Sequence, residues 1–207
     1  DDEKAVQKAY KHLKEYSDDV YSFIFEKNLS KSELEGKISQ FILNPVDVIV
    51  DCTHLEVTIQ FDKMSGYEEE QMLFLSSEAR FCFYKKLSEI LGEPELRILC
   101  LVNLDGCHGY IEKEQEINDP FYGAIAGFYK GLRKEWPKSR IKVVDLGSKE
   151  VSDKPKESMS LIVKEVQESS LDFEIGYRNG KRNVLKIDIV DRAHYENVEL
   201  QIGRAHV

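Results

Sequence analysis

DPFYGAIAGFYKGLRKEWPKSRIKVVDLG, residues 119–147, is the stretch whose reading decides the fold. Phe121, Ile125, Phe128, Leu132 and Trp136 recur at helical intervals and predict one apolar stripe. Asp119 and Pro120 make an N-cap and first-turn pair, and Pro137 stops the helix after Trp136. The run RIKVVDL that follows is short and apolar, as a buried strand should be. Gly123, Gly127 and Gly131 keep other sides of the helix slim, beside Ala124 and Ala126. Each glycine costs about 1 kcal/mol relative to alanine, so three of them predict that another backbone, or the sheet, is fitted close.

Outward from this unit, strands and helices alternate. ELRILCLVNL reads as the central strand, and VDVIVDC, continuously apolar and rich in valine, as a parallel strand covered on both faces. Between them a long helix is predicted from about Glu68 to Leu91, with Leu73, Ser77, Phe81, Tyr84 and Leu87 along one side and Gly92 at its close. LSKSELEGKISQFIL places Leu34, Ile38, Phe41 and Ile42 at helical spacing behind a Ser30 or Ser32 cap. DDVYSFIFEKN carries a strand-like run, and Ala5, Val6, Ala9, Tyr10 and Leu13 form an opening helical stripe. After residue 147, KESMSLIVKEVQES predicts a helix and DFEIGYRNGKRNVLKIDIV a hairpin turning on Asn179 and Gly180. The expected fold is α/β, a degenerate Rossmann-like, doubly wound and mostly parallel sheet with a C-terminal β-hairpin. Its first strand is expected to precede this chain.

Composition narrows the function. With 207 residues and 42% hydrophobic content the chain can fill one core. A formal charge of -9 disfavours non-specific contact with nucleic acid or anionic membranes, so neither is expected as a partner. No apolar run approaches a membrane span and the opening residues have no signal-peptide core, so a cytoplasmic location is expected. Cys52, Cys82, Cys100 and Cys107 show no paired spacing and read as reduced packing residues; Cys52 with His54, or Cys107 with His108, is too scattered for a zinc site. Residues 1–190 are expected to form one domain that begins inside a larger protein. Residues 191–207 read as a linker or tail, whose last six, IGRAHV, match the translation of a common sequencing adapter.

Two clusters invite a functional reading. Lys130, Arg133, Lys134, Lys138, Arg140 and Lys142 could bind phosphate or RNA, but positive charge near a helix C-terminus complements the helix dipole, and that reading is preferred. His54, at the end of a strand, could line a ligand cleft; a satisfied structural histidine is preferred.

GAIAGFYKGLRKEWPKSRIKVVDLG resembles the helix and strand of short-chain dehydrogenases. In that superfamily the catalytic tyrosine and lysine lie four residues apart, upstream of a Gly-Phe pair on the same helix. Counting back from Gly127 and Phe128 puts Asn118 in the tyrosine position and Tyr122 in the lysine position. The chemistry needs a phenol to give a proton to the developing alkoxide and a lysine to lower that phenol's pKa and hold the nicotinamide ribose, and these two residues do not supply that pair. DVIVDCTHLE stands where the family has its Asn-Asn-Ala-Gly strand end, with Asp51, Cys52, Thr53 and His54 instead. LVNLDGCHGY stands where a serine is usual, with Leu104, Asp105, Gly106 and Cys107 instead and His108 as a loop residue. No glycine-rich loop joins an opening strand to a helix in the sequence.

The pattern over residues 5–190 resembles the structural subdomain of ketoreductase domains in modular polyketide synthases and polyunsaturated fatty acid synthases, most closely at the closing stretch DFEIGYRNGKRNVLKI. Asn183 departs from that family's frequent aromatic residue. The resemblance implies a non-catalytic scaffold in which no residue is catalytic, cofactor-binding or metal-binding. Its implied partner is a catalytic ketoreductase subdomain of the same parent chain, which binds NADPH and reduces β-ketoacyl groups on an acyl carrier protein. The segment itself is then expected to be no enzyme and to hold no cofactor. The alternatives are an atypical NAD(P)-dependent reductase using His54, Tyr129 and Arg133, or a stand-alone interaction module of Rossmann type. Under the scaffold reading Tyr129 and Arg133 are an exposed helical pair.

Overall fold

The structure, a computed structural model, describes residues 11, 13–25, 29–54, 78–109, 120–147 and 155–186, apart from the side chains of 120, 121, 155 and 156. The predicted opening helix over residues 1–10, the first half of the helix predicted from Glu68, Asn118, and the tail from residue 187 lie outside the described residues.

Helix α1 (Lys31–Phe41) starts at a capping box in which Ser30 Oγ accepts from the Glu33 amide and Glu33 accepts from the Ser30 amide. Strand β1 (Val48–His54), helix α2 (Ala79–Leu91), strand β2 (Arg97–Val102), helix α3 (Pro120–Glu135), strand β3 (Arg140–Leu146), helix α4 (Pro155–Gln167) and strands β4 (Glu174–Arg178) and β5 (Lys181–Val184) follow. The five strands form one sheet in the order β1-β2-β3-β4-β5. All neighbours are parallel except β4 and β5. Asn179 and Gly180 between those two both have positive φ, 51° and 73°, as a tight two-residue hairpin turn requires.

The continuous apolar strands are explained by burial on both faces. On one face Ile98, Cys100, Val102, Ile141 and Val143 pack with Leu34 and Ile38 of α1, Tyr84 and Leu87 of α2, and Ile125, Tyr129 and Trp136 beside or within α3. On the other, Leu99, Leu101, Val144, Leu146, Ile175 and Tyr177 pack with Met159 and Ile162 of α4. The α/β architecture with its mostly parallel sheet and closing hairpin is as expected from the sequence.

Three local expectations differ. The strand-like run after residue 18 joins no sheet over residues 18–25; Phe23 and Phe25 instead pack on Phe83, with ring centroids 5.7 and 6.0 Å away. Propensity favoured a strand, but burial of the aromatic rings against α1 and α2 is satisfied without one. On α2 the stripe is rotated: Phe81 is 57% exposed while Arg80 is buried, because a carboxylate waits for Arg80 inside. On α3 a β-carbon added at Gly123, Gly127 or Gly131 would meet nothing within 4 Å among the described residues, so none of these packs closely at those three sites.

Close backbone approach occurs elsewhere. A β-carbon on Gly176 of β4 would lie 2.1 Å from the Gly106 carbonyl oxygen, and one on Gly106 would lie 2.1 Å from the Tyr177 carbonyl oxygen. This contact presses the loop after β2 onto β4.

The basic cluster resolves into individual partners. Lys130 pairs with Glu174 at 3.1 Å and Lys138 with Glu93 at 2.8 Å. Arg133 donates to the Leu171 carbonyl and lies over the Phe173 ring. Lys142 is buried and donates to Glu165 Oε2 at 2.9 Å and to the Glu165 carbonyl at 3.0 Å. Glu165 also accepts from the Tyr177 hydroxyl at 2.5 Å and from Arg182 Nε at 2.7 Å, tying α4 to β3, β4 and β5. Burial pushes Glu165 up, but bonds from Arg182, Tyr177 and Lys142 outweigh it and hold the carboxyl at about 2.

Three substitutions probe how these contacts stabilise the fold. Gly176→Ala is expected to cost about 1–3 kcal/mol by overpacking, and Gly127→Ala, on the open side of α3, to add roughly 0.5–1 kcal/mol in urea denaturation. Because the Glu165 carboxyl is depressed in the folded state, its stabilisation is present above its ordinary value of 4.5 and lost as pH falls toward 2. Glu165→Ala, which strands Lys142, is expected to cost about 3–5 kcal/mol at pH 7 and to flatten the acid limb of the stability curve.

Candidate active site at the carboxyl end of the sheet

Sheets of this kind bind ligands beyond the carboxyl ends of their parallel strands. Two polar clusters form there, one at the end of β1 and one in the loop after β2.

In the first, Asp51 of β1 receives Arg80 Nε at 2.9 Å, the Thr53 hydroxyl at 2.6 Å and the Tyr129 hydroxyl at 2.5 Å. Arg80 Nη2 donates to Thr53 Oγ1 at 2.7 Å and to His54 Nδ1 at 3.2 Å. With the Tyr129 proton committed to Asp51, Tyr84 donates to the Tyr129 oxygen across 3.2 Å. Burial pushes the Asp51 carboxyl up, yet the Arg80 guanidinium and the hydroxyl bonds overcome it and hold the group well below the usual carboxylate range. Burial and the Asp51 charge push the Tyr129 phenol well above its ordinary value. Burial, then the Arg80 charge, lowers His54 to about 4.

In the second, Asp145 at the end of β3 is fully buried and accepts from the Leu104 and His108 amides, both at 2.8 Å. Asp105 accepts from the Cys107 and Gly109 amides at 2.7 and 2.9 Å. So held, His108 takes the left-handed conformation, φ 58°, which a residue with a β-carbon adopts only where its surroundings impose it. Its ring lies 5.7 Å from the Tyr122 ring, and Nδ1 is hydrogen-bonded to the Tyr122 hydroxyl. Burial pushes Asp145 up to about 6, against the pull of the two amides and with help from neighbouring Asp105. Burial also lowers His108, which is therefore neutral at pH 7. A phenol hydrogen-bonded to an imidazole can share a proton with it, and the two aspartates anchor the loop that carries this histidine.

The sequence-level candidates separate accordingly. His54 and Tyr129 share the first network but Arg133 does not; it is engaged with Leu171 and Phe173 near the start of β4. Tyr129 is fully buried, which corrects its reading as an exposed residue, and its raised pKa is the opposite of what a proton donor needs. His54 is satisfied at Nδ1, while Nε2 is buried without a partner among the described residues. The Tyr122–His108 pair was missed because Tyr122 was weighed only as a failed lysine. Fourteen residues separate the two, and the signal that could have found them is two titratable residues flanking a strand-loop-helix turn. Among the described residues no group of three or more His, Cys, Asp or Glu is arranged to hold a metal ion.

No family model and no curated protein matches the sequence. Solved structures do. A short-chain dehydrogenase/reductase from Serratia marcescens superposes with a TM-score of 0.54 at 12% identity, over 73% of this chain and 73% of that one. A short-chain dehydrogenase from Mycobacterium avium gives 0.55 at 13%, over 79% and 64%. A gluconate 5-dehydrogenase from Burkholderia cenocepacia, solved with NADP and tartrate, gives 0.50 at 12%, over 71% and 58%. The fold is that of the short-chain dehydrogenases. This chain spans less than two thirds of the length of the last two.

Those neighbours correct two expectations. The segment was expected to be no enzyme, but the structures that share its fold are dehydrogenases and reductases. It was expected to hold no cofactor, yet one of them is a complex with NADP. The expectation of a non-enzyme rested on Asn118 and Tyr122 standing where that superfamily has its tyrosine and lysine. Among the described residues no helix is long and apolar enough to cross a membrane.

Tyr129→Phe separates the two clusters. It removes a buried hydrogen bond to a charged group and is expected to cost about 1.5–3 kcal/mol of stability in urea denaturation. Tyr122→Phe, at a half-buried residue, is expected to change stability by less than about 1 kcal/mol.

Proposed function

We propose that this chain has a short-chain-reductase activity, the NAD(P)H-dependent reduction of a carbonyl group, with Tyr122 as proton donor and His108 as its partner. The observation that carries the reading is the Tyr122 hydroxyl bonded to His108 Nδ1 beyond the carboxyl ends of β2 and β3. Bound NAD(P)H would supply the hydride. The residues present fit such a group at its reacting end: Asn103, just past β2, keeps a buried side-chain oxygen with no donor, and a carboxamide N–H is a donor of the right kind.

The chain's own contribution is acid catalysis and placement. As negative charge develops on the substrate oxygen, Tyr122 gives up its hydroxyl proton to that oxygen. For this His108 carries its ring proton on Nδ1 and donates it to the Tyr122 oxygen, which leaves the phenol proton free for the substrate and stabilises the phenolate that remains. Asp145 and Asp105 do not touch the reacting atoms; they fix the loop amides and hence the His108 ring.

The substrate class we propose is a β-ketoacyl thioester carried by an acyl carrier protein, within a polyketide or fatty acid megasynthase. What supports it is the resemblance of DFEIGYRNGKRNVLKI to the closing hairpin of the structural subdomain that accompanies ketoreductases in such synthases; the core of that stretch forms the β4–β5 hairpin.

NADPH consumption with a β-ketoacyl N-acetylcysteamine thioester tests the reading. Tyr122→Phe is expected to lower kcat by about 100-fold or more, and His108→Gln by a smaller factor, with unchanged thermal unfolding. Unaltered turnover in Tyr122→Phe would remove the assignment.

A further inference from the structure

The β1 network leaves one group unused. Arg80 can only donate hydrogen bonds, so the His54 Nδ1 it reaches at 3.2 Å must be the acceptor. The ring proton of neutral His54 therefore resides on Nε2. Thr53 Oγ1 lies 3.3 Å from the same nitrogen but gives its only proton to Asp51, so Arg80 is the group that supplies Nδ1 with a donor. The side chain is 4% exposed, and Nε2 has no hydrogen-bond partner among the described residues. A buried N–H donor without an acceptor is rarely left so in a folded protein, because it forfeits its bond to water.

Its placement is also particular. The pairing of β1 with β2 is regular from Val48 to Asp51, then shifts register before His54 pairs with Val102. Such irregularities re-aim side chains at the ends of strands. Here the shift occurs at the carboxyl end of a parallel strand, where ligands of α/β sheets bind.

We infer that His54 is a ligand-binding residue, a donor locked in the Nε2–H tautomer by Arg80 and presented to an uncharged oxygen acceptor of a bound molecule. Charge complementarity argues for an uncharged acceptor, because the ring is neutral and the Arg80 charge is already matched by Asp51 at 2.9 Å. The inference rests on the reductase reading, under which two molecules could supply such an oxygen: a sugar hydroxyl of the dinucleotide, or the carbonyl of the thioester substrate.

The test uses the intact chain with ring-15N histidine, NADPH and the β-ketoacyl N-acetylcysteamine thioester. Free protein is expected to show His54 as the Nε2–H tautomer from pH 6 to 8, and ligand addition to move that N–H proton downfield. If NADPH alone moves it, His54→Phe is expected to weaken NADPH binding by about tenfold at unchanged kcat, the value of one lost hydrogen bond. If only the thioester moves it, KM for the thioester rises by a similar factor instead. His54→Gln, which retains an N–H in place of Nε2–H, is expected to restore most of either loss. An Nδ1–H tautomer, or a signal that neither ligand moves, overturns the inference whether or not His54→Phe folds. Turnover by wild type with unchanged binding constants in His54→Phe overturns this inference and leaves the reductase reading standing. A wild-type protein that neither binds NADPH nor reduces the thioester overturns both.

Discussion

The buried pair of Asp51 and Arg80 is the constraint on which one face of the sheet depends. Neither charge is tolerable there alone. Together, with Thr53, Tyr129, Tyr84 and His54 arranged around them, they bind the end of β1 to α2 and α3. Their demands explain features that look unrelated: why α2 turns an arginine inward and a phenylalanine outward, why Tyr129 is fully buried, and why His54 is held through Nδ1. A network this committed has no proton to lend, so chemistry must be sought at the other strand ends.

That other place is the loop after β2, shaped by a different constraint. Gly106 and Gly176 allow backbone to lie on backbone, and Asp145 and Asp105 use their oxygens to hold four loop amides. The result is a histidine in an uncommon backbone conformation beside the first turn of α3. The two clusters thus differ in what they hold: one ties β1 to α2 and α3, and the other brings the half-buried Tyr122 against the buried His108 ring.

Much of the fold was legible from local sequence. The capping box at Ser30, the glycine after Leu91, the Asn-Gly turn and the continuous apolar strands each declare themselves within a few residues, and the order of elements followed. What was not legible depended on partners distant in sequence. Arg80 is drawn inward by a carboxylate 29 residues away, and Tyr129 by the same carboxylate 78 residues away. Periodicity assigns α3 a stripe but not the depth of each residue in it, so Tyr129 was read as exposed. The slim glycines were correctly seen to cost helix propensity, but their use within this chain was not what that cost suggested. For the site, comparison with a known pair of residues exposed what was missing at 118 and 122 and concealed what had taken up the position beside 122. The pairing with His108 exists only once the loop is folded.

The central claim is that the reacting end of a nicotinamide cofactor meets Tyr122, while Tyr129 stays sealed in the Asp51 network. A crystal structure of the chain with NADP and a β-ketoacyl thioester analogue examines this most directly. The account predicts a nicotinamide ring beyond the carboxyl ends of β1 to β3, with the analogue's carbonyl oxygen in hydrogen-bond reach of the Tyr122 hydroxyl. A cofactor seated elsewhere, or a carbonyl oxygen held by other groups with Tyr122 turned away, would contradict it.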